Sequence, residues 1–471
     1  MPYVQLPREQ TVQIFYEFFG EAPYDPVKPT VLVLSGPWSD SSLVTQRFLP
    51  SLNEVTGAYN CLVLDLRGHG RTVSEPMKEI DCWIHAADIA FVLNAIQVPA
   101  VHLVSHSLVS GQAIFAFAIL FPSQTLSLSA LGAANLYAPP SLLPGIMELM
   151  ENWLQDDDPE AFMESLDEAV YFNTSHLLSA DEADWLAAMW SRRYGPANAL
   201  KAFEVTAPLV AVRTASPFSF LHLADVAHHQ NPGMTKKDIS KIVAPVLFVV
   251  GTADVTKSLP VAEELVEDLT ASVDVSLHIV EGGAAVVGIT HLDKVRPLIT
   301  SFLFKHSTPS SVPPPFSFPA ALSTLTARSS PSPPPAALDP LDARSYSRVQ
   351  PNDDLRNGVW ELCQQLDGKA FCTWASAVPE CWEDGGRLAD VLEMKWRFSQ
   401  RNANDVSASE RRGSLPLTDF ALATVEDSTS TTVTTTTLCS GGSPAPSADS
   451  GELPTDSVFA QIREKAARGE L

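Results

Sequence analysis

Six short apolar runs with helical patterns between them constrain the fold of this chain more than any other feature: Val31 to Leu34, Cys61 to Leu64, Val101 to Val104, Leu126 to Leu131, Val246 to Val250 and Val275 to Val280. Runs that are apolar at nearly every position, rather than at alternate ones, belong to strands buried on both faces, as in a parallel sheet covered by helices. Between the second and third run, Ile89, Val92, Leu93 and Ile96 fall at i, i+3, i+4 and i+7. They share one helical face, which can cover such a sheet. The alternation of strand and helix predicts an α/β fold.

The rhythm breaks over residues 139–240, where Met147, Met150, Trp153, Phe162, Trp185, Met189 and Trp190 sit among acidic residues and no strand run occurs. A helical insertion is expected there, and if it covers a site it sets substrate preference. A main domain over residues 1–306 leaves room for an extension in a chain of 471 residues. Residues 307–350 are rich in Pro and Ser and read as a stiff, extended, unfolded linker. Residues 351–400 concentrate Trp360, Phe371, Trp374, Trp382, Trp396 and Phe398 and form a candidate small helical module. Residues 401–471, with a Ser/Thr-rich run from Thr424 to Gly451, are expected to be mostly disordered.

The formal net charge of -24 repels polyanions, so nucleic acid and anionic lipid are poor partners. No apolar stretch is long enough to span a bilayer. The first residues, from Met1 to Glu9, lack the apolar core of a signal peptide. Six scattered cysteines do not resemble a disulfide framework. Cys363, Cys372 and Cys381 lack the paired spacing of a zinc site, and no nucleotide-binding fingerprint is present. These features imply a cytoplasmic protein with no cofactor and no metal. All 11 histidines lie between His69 and His306, so any catalytic histidine comes from the main domain.

The chemistry concentrates at Val101-His102-Leu103-Val104-Ser105-His106-Ser107-Leu108-Val109-Ser110-Gly111, a β run, a small-residue turn and an apolar helix. A nucleophilic serine needs this arrangement. The sharp turn exposes its hydroxyl above the sheet, beside a helix N-terminus whose N–H groups can receive an oxyanion. The segment resembles the α/β-hydrolase fold, in particular its esterase, lactonase and haloperoxidase-like group, whose elbow reads Gly-x-Ser-x-Gly. The resemblance implies a mostly parallel sheet flanked by helices, a helical lid at 139–240, and Ser107 as nucleophile with the N–H of Leu108 as one oxyanion donor. Ser105 and Val109 stand where the family has glycine.

Three further segments resemble the family in the same order. Ser35-Gly36-Pro37-Trp38 follows the first run at the family's His-Gly loop; Pro37 has no N–H to give, so Trp38 is the second oxyanion candidate. Asp65-Leu66-Arg67-Gly68-His69-Gly70-Arg71-Thr72 is nearly identical to the family's Asp-x-Arg-Gly-x-Gly-x-Ser/Thr turn, where it is mainly architectural. Asp254, in Gly251-Thr252-Ala253-Asp254, falls on the triad carboxylate. After the last run the family has Gly-x-Gly-His, whereas this chain has Gly282-Gly283-Ala284-Ala285 and reaches a histidine only at His291. Two readings remain open: the glycine-bearing loop swings His291 inward as the base, or His291 merely begins the next helix.

The first reading gives a serine hydrolase acting on an ester, lactone or thioester of a small to medium apolar acid, a chemistry that also occurs in secondary-metabolite pathways. Ser107, His291 and Asp254 then form the triad. The second gives a catalytically degenerate scaffold of the same fold that binds a small hydrophobic ligand or a protein partner. A partner of the tail is not specified by the sequence.

Overall fold

The apolar runs pair into one eight-stranded sheet of order β1-β2-β4-β3-β5-β6-β7-β8. The strands are β1 (Tyr3–Gln5), β2 (Gln13–Phe18), β3 (Thr30–Leu34), β4 (Asn60–Leu64), β5 (Val101–Ser105), β6 (Thr125–Leu131), β7 (Val246–Gly251) and β8 (Val275–Val280). This computed structural model describes residues 2–132 except 21–22, 37–38 and 107, scattered positions from 159 to 201, residues 234–307 except 255 and 257, residues 313–327 and 338–349, and positions 360, 361, 363 and 364. The side chains of Leu108 and of several residues in the helix from Pro159 are likewise outside the description.

The six runs of the sequence correspond to β3 to β8, which pair in parallel. Strands β3, β4, β5 and β7 are buried at every residue, which is why their sequences are mostly apolar. The antiparallel β1 and β2 extend the sheet beyond β4. Their sequences carry short, mixed patterns that the long apolar runs overshadow. In register, Leu34 pairs with both Leu64 and Ser105, so the loops after β3, β4 and β5 leave the sheet at one level. From β3 the chain moves to β4 on one side and then crosses to β5 on the other. In open α/β sheets this reversal leaves a crevice at the carboxyl ends of the strands, where ligands bind.

Helices α1 (Cys82–Ala95) and α2 (Leu108–Leu120) cover one face. Asp81 caps α1 by accepting from the N–H groups of Trp83 and Ile84. On the other face, Val31, Val33, Cys61, Val63 and Val104 meet Phe48, Val55, Val295, Ile299 and Phe302. The last three belong to a helix, Leu292–Lys305, that packs on this face.

Helix α1 departs from the one-sided pattern expected of it, because Cys82 to Leu93 are all buried. Its outer face is covered by the segment read from sequence as an unfolded linker. Within residues 307–350, a helix Phe318–Thr326 and a 3-10 turn Ala343–Tyr346 pack on α1 and α2, with Phe318, Ala321, Leu322, Leu325 and Tyr346 buried. The Ser and Pro content conceals these apolar anchors, and Pro319 lies in the first turn of the helix, where proline is tolerated. Residues 313–327 and 338–349 are therefore part of the packed domain rather than linker.

In the insertion, the described residues include a helix Pro159–Thr174 and further helical positions up to 201, with Leu186, Met189, Trp190 and Tyr194 buried. Met147, Met150 and Trp153 lie outside the described residues, as do the tail 401–471 and nearly all of 351–400. Among the described residues, no helix is long and apolar enough to cross a membrane.

A buried ionic group fixes the turn after β4. Arg67 donates to Asp88 from Nε (3.0 Å) and Nη2 (2.8 Å), and to Glu9 from Nη1 (2.9 Å) and Nη2 (3.0 Å). Burial works against its charge, but Asp88 and Glu9 more than offset this and raise its pKa above the ordinary range. Removing one partner leaves an uncompensated buried charge. Asp88→Ala is expected to destabilise the protein by about 3–5 kcal/mol in urea unfolding; a loss below ~1 kcal/mol would show that the group carries little of the fold.

Candidate active site

The turn between β5 and α2 is held from below. His106, the residue after the strand, is buried with its ring edge-on to Phe48, centroids 4.2 Å apart. On its other side lies Gly288, where a Cβ would stand 2.6 Å from the His106 Nδ1. Only glycine allows so close an approach. Burial pushes the His106 pKa down to about 3, and neither ring nitrogen has a hydrogen-bond partner among the described residues. This neutral imidazole therefore packs the turn and has little basicity to offer. Ser107 itself lies outside the described residues. Ser105 and Val109, the departures from the family's elbow glycines, are both buried.

The loop after β3 is tied down by its own polar groups. Ser39 Oγ donates to the Gly36 carbonyl at 2.8 Å, and Asp40 caps a short helix Ser41–Leu43 by accepting from the Ser42 N–H and hydroxyl. Asp65, at the end of β4, accepts from the N–H groups of Ser41 (2.7 Å) and Arg71 (2.9 Å). Trp38 lies outside the described residues; Leu108 is the first residue of α2. The insertion meets these loops: Tyr194 Oη accepts from the Gly70 N–H at 3.4 Å, and the Ser42 hydroxyl lies 3.9 Å from the Met189 sulfur. Met189 falls in the segment where the sequence predicts the helical insertion. Nothing in the local sequence marks Tyr194, whereas Asp40-Ser41-Ser42-Leu43 is a helix-start pattern that signals Asp40.

Asp254 is buried just beyond β7, and its Oδ1 accepts from the Thr256 N–H (2.8 Å) and hydroxyl (2.6 Å). The loop after β8 is held closely over the ends of β6 and β7. Ala253 N–H donates to the Gly283 carbonyl, and Val286 N–H to the Asn173 carbonyl of the insertion. At Gly132, with φ of +91°, an added Cβ would come 1.7 Å from the Ala285 carbonyl oxygen. Ala284 and Ala285 are consequently buried where the family has its base.

His291 follows a short helical turn, Val287–Thr290, to which its N–H is bonded. Its Nδ1 lies 3.1 Å from the Thr290 hydroxyl, and its side chain is half-buried. Burial and then Lys294 lower its pKa, against an opposing effect of Asp293. Among the described residues, His291 and Asp254 share no hydrogen bond. The structure thus places Asp254 and His291 after β7 and β8 without joining them. Among the described residues, no group of His, Cys, Asp or Glu could hold a metal ion.

The model of the α/β hydrolase fold family matches residues 29–271, just over half of the chain. With the eight-stranded sheet, this establishes that the chain belongs to the α/β-hydrolase fold family. It is similar to a Synechocystis sp. protein named as a candidate non-heme chloroperoxidase, with 24% identity over 64% of this chain and 100% of the relative. Among solved structures, a carboxylesterase of the thaumarchaeon Nitrososphaera gargenis is 14% identical, covering 64% of this chain and 98% of the other, with a TM-score of 0.48. An enol-lactonase of Burkholderia xenovorans is 13% identical over 64% and 100%, with a TM-score of 0.44.

Three further histidines are buried. Desolvation lowers His69 and His102 from 6.5 to about 4 and His85 well below 6.5. With His106, they bind protons in the unfolded chain at pH values where the folded chain does not. Their contribution to stability is therefore present above pH 6.5 and is lost as pH falls toward 4. Each costs about 1.4 kcal/mol per pH unit within that window. Urea midpoints measured from pH 8 to pH 5 should hold down to about 6.5 and then drop steeply; a flat profile to pH 5 would contradict the neutral burial of these rings.

Proposed function

We propose that the chain is a cofactor-independent serine hydrolase of the α/β-hydrolase type, acting on an ester, lactone or thioester of a small to medium apolar acid. The observation that carries this reading is order. Ser107 follows β5, Asp254 follows β7 and His291 follows β8, and β5 borders the crevice where the strand order reverses. Ser107 Oγ attacks the carbonyl carbon and its proton passes to His291. The N–H groups of Leu108 and Trp38 receive the oxyanion, and the proton leaves with the alcohol or thiol as the acyl bond breaks. Water then releases the acid by the reverse transfer. Asp254 orients the base, which requires His291 to exchange its Thr290 contact for Asp254 when substrate binds. The insertion around Met189 and Tyr194 supplies the apolar wall. A cytoplasmic setting agrees with the buried free thiols of Cys61, Cys82 and Cys363.

A second reading is favoured by the buried Ala284 and Ala285 and by the bonds that hold their loop. It takes the chain as a degenerate hydrolase scaffold that binds an apolar ligand without turning it over. Labelling by a fluorophosphonate probe, abolished by Ser107→Ala, is the expected outcome of the hydrolase reading; folded wild-type protein that stays unlabelled at neutral pH would remove Ser107 as nucleophile. His291→Ala is expected to lower kcat/KM on p-nitrophenyl esters by about 10²–10⁴. Unchanged turnover in that variant would exclude His291 as the base, and no turnover in the wild type together with binding of an apolar dye would establish the scaffold.

A further inference from the structure

The matched family region ends at residue 271, yet the chain continues into a segment that docks on the elbow helix. We infer that residues 313–327 and 338–349 form a strap that completes the hydrolase domain and holds α1 and α2 in place. This inference stands apart from whether Ser107 turns over a substrate.

Two kinds of contact carry it. The first is an aromatic seam. The Phe318 ring stacks on Phe91 of α1 with centroids 4.7 Å apart and lies 5.8 Å from Phe121, while Phe316 lies 5.7 Å from Phe121 and 6.5 Å from Phe117 of α2. Leu325 and Tyr346 are fully buried in the same layer, and the Tyr346 hydroxyl lies 3.1 Å from the carbonyls of both Phe318 and Pro340, which ties the two pieces of the strap together. Without the strap, Phe91, Phe117 and Phe121 would form a contiguous apolar patch on the outside of two helices, a surface that soluble domains avoid.

The second kind of contact is polar and specific. Asp81 uses one carboxylate oxygen to cap α1, through Trp83 and Ile84, and the other to accept from the Arg348 N–H at 2.6 Å. Beside it, the Ser347 hydroxyl donates to the Glu79 carbonyl at 2.7 Å. Arg344 Nε stands 3.3 Å from the Glu9 carboxylate that also receives Arg67, and Arg8 pairs with Asp339 at 2.7 Å. Gln124, just past α2, donates to the Pro314 carbonyl at 2.7 Å. The strap is therefore anchored at its entry, along its helix and at its exit, on residues of α1 and α2, of their flanks and of the β1–β2 turn.

Hydrogen exchange read by mass spectrometry on the full chain tests this dependence. In the wild type, peptides from Phe318–Thr326 should exchange at least tenfold more slowly than an unstructured segment. Leu325→Asp places a charge in the seam and should release the strap. The expected result is at least tenfold faster exchange in Phe318–Thr326 and also in α1 and α2, with β7 unchanged. A strap that loses protection while α1 and α2 stay as slow as in the wild type would overturn the inference, as would an unprotected strap in the wild type. If Leu325→Asp yields no folded protein, Arg344→Ala alters a side chain that is 60% exposed and leaves the seam intact. It should speed exchange over 338–349 and at the first turn of α1; no change at either place would equally overturn it.

Discussion

A guanidinium buried between two carboxylates is expensive in an apolar interior unless nearly every donor is satisfied. Arg67 meets that condition with four hydrogen bonds to Glu9 and Asp88. The three residues come from different parts of the chain: the turn between β1 and β2, the turn after β4, and the middle of α1. Their pairing fixes the position of the Asp65–Thr72 turn relative to the sheet. Asp65, at the head of that turn, then holds the N–H of Ser41 and with it the loop after β3. The loop after β3 is thus linked, through Asp65, to the turn that the ion group fixes.

The opposite wall is made by backbone approach rather than charge. The loop after β8 lies against Gly132, Gly251 and, at Gly288, against the ring of His106. Each contact is closer than a side chain at the glycine would permit. A loop held in this way presents Ala284 and Ala285 inward and carries His291 onward to the next helix. The frame is firm, and the chemistry proposed at Ser107 requires His291 to leave its Thr290 contact within it.

The fold was legible because burial on both faces favours near-continuous apolar runs, clearest in β3, β4 and β7, with the more mixed β5, β6 and β8 completing the strand rhythm. Strands β1 and β2 were not legible, since a strand such as Gln13–Phe18 is buried at only some positions and its pattern is mixed. The strap was concealed by composition: a few aromatic anchors among many serines and prolines do not change the character of the segment, although they decide where it packs. At the site, the positions after β5, β7 and β8 could be read from local motifs. The lack, among the described residues, of a hydrogen bond between His291 and Asp254 could not, because it depends on how the loop after β8 rests on strand ends far away in sequence. The closeness of Gly288 to His106 was hidden for the same reason.

The strap also separates two ideas of what a domain is. The region matched by the family model is a unit of inheritance, and it ends at residue 271, before β8. The packed unit is larger, because Phe91, Phe117 and Phe121 also meet the rings of Phe316 and Phe318 beyond that region. A lineage that gains such a segment can let helix surfaces once suited to water drift toward aromatic residues. After that drift the appendage can no longer be discarded, whatever its first use was.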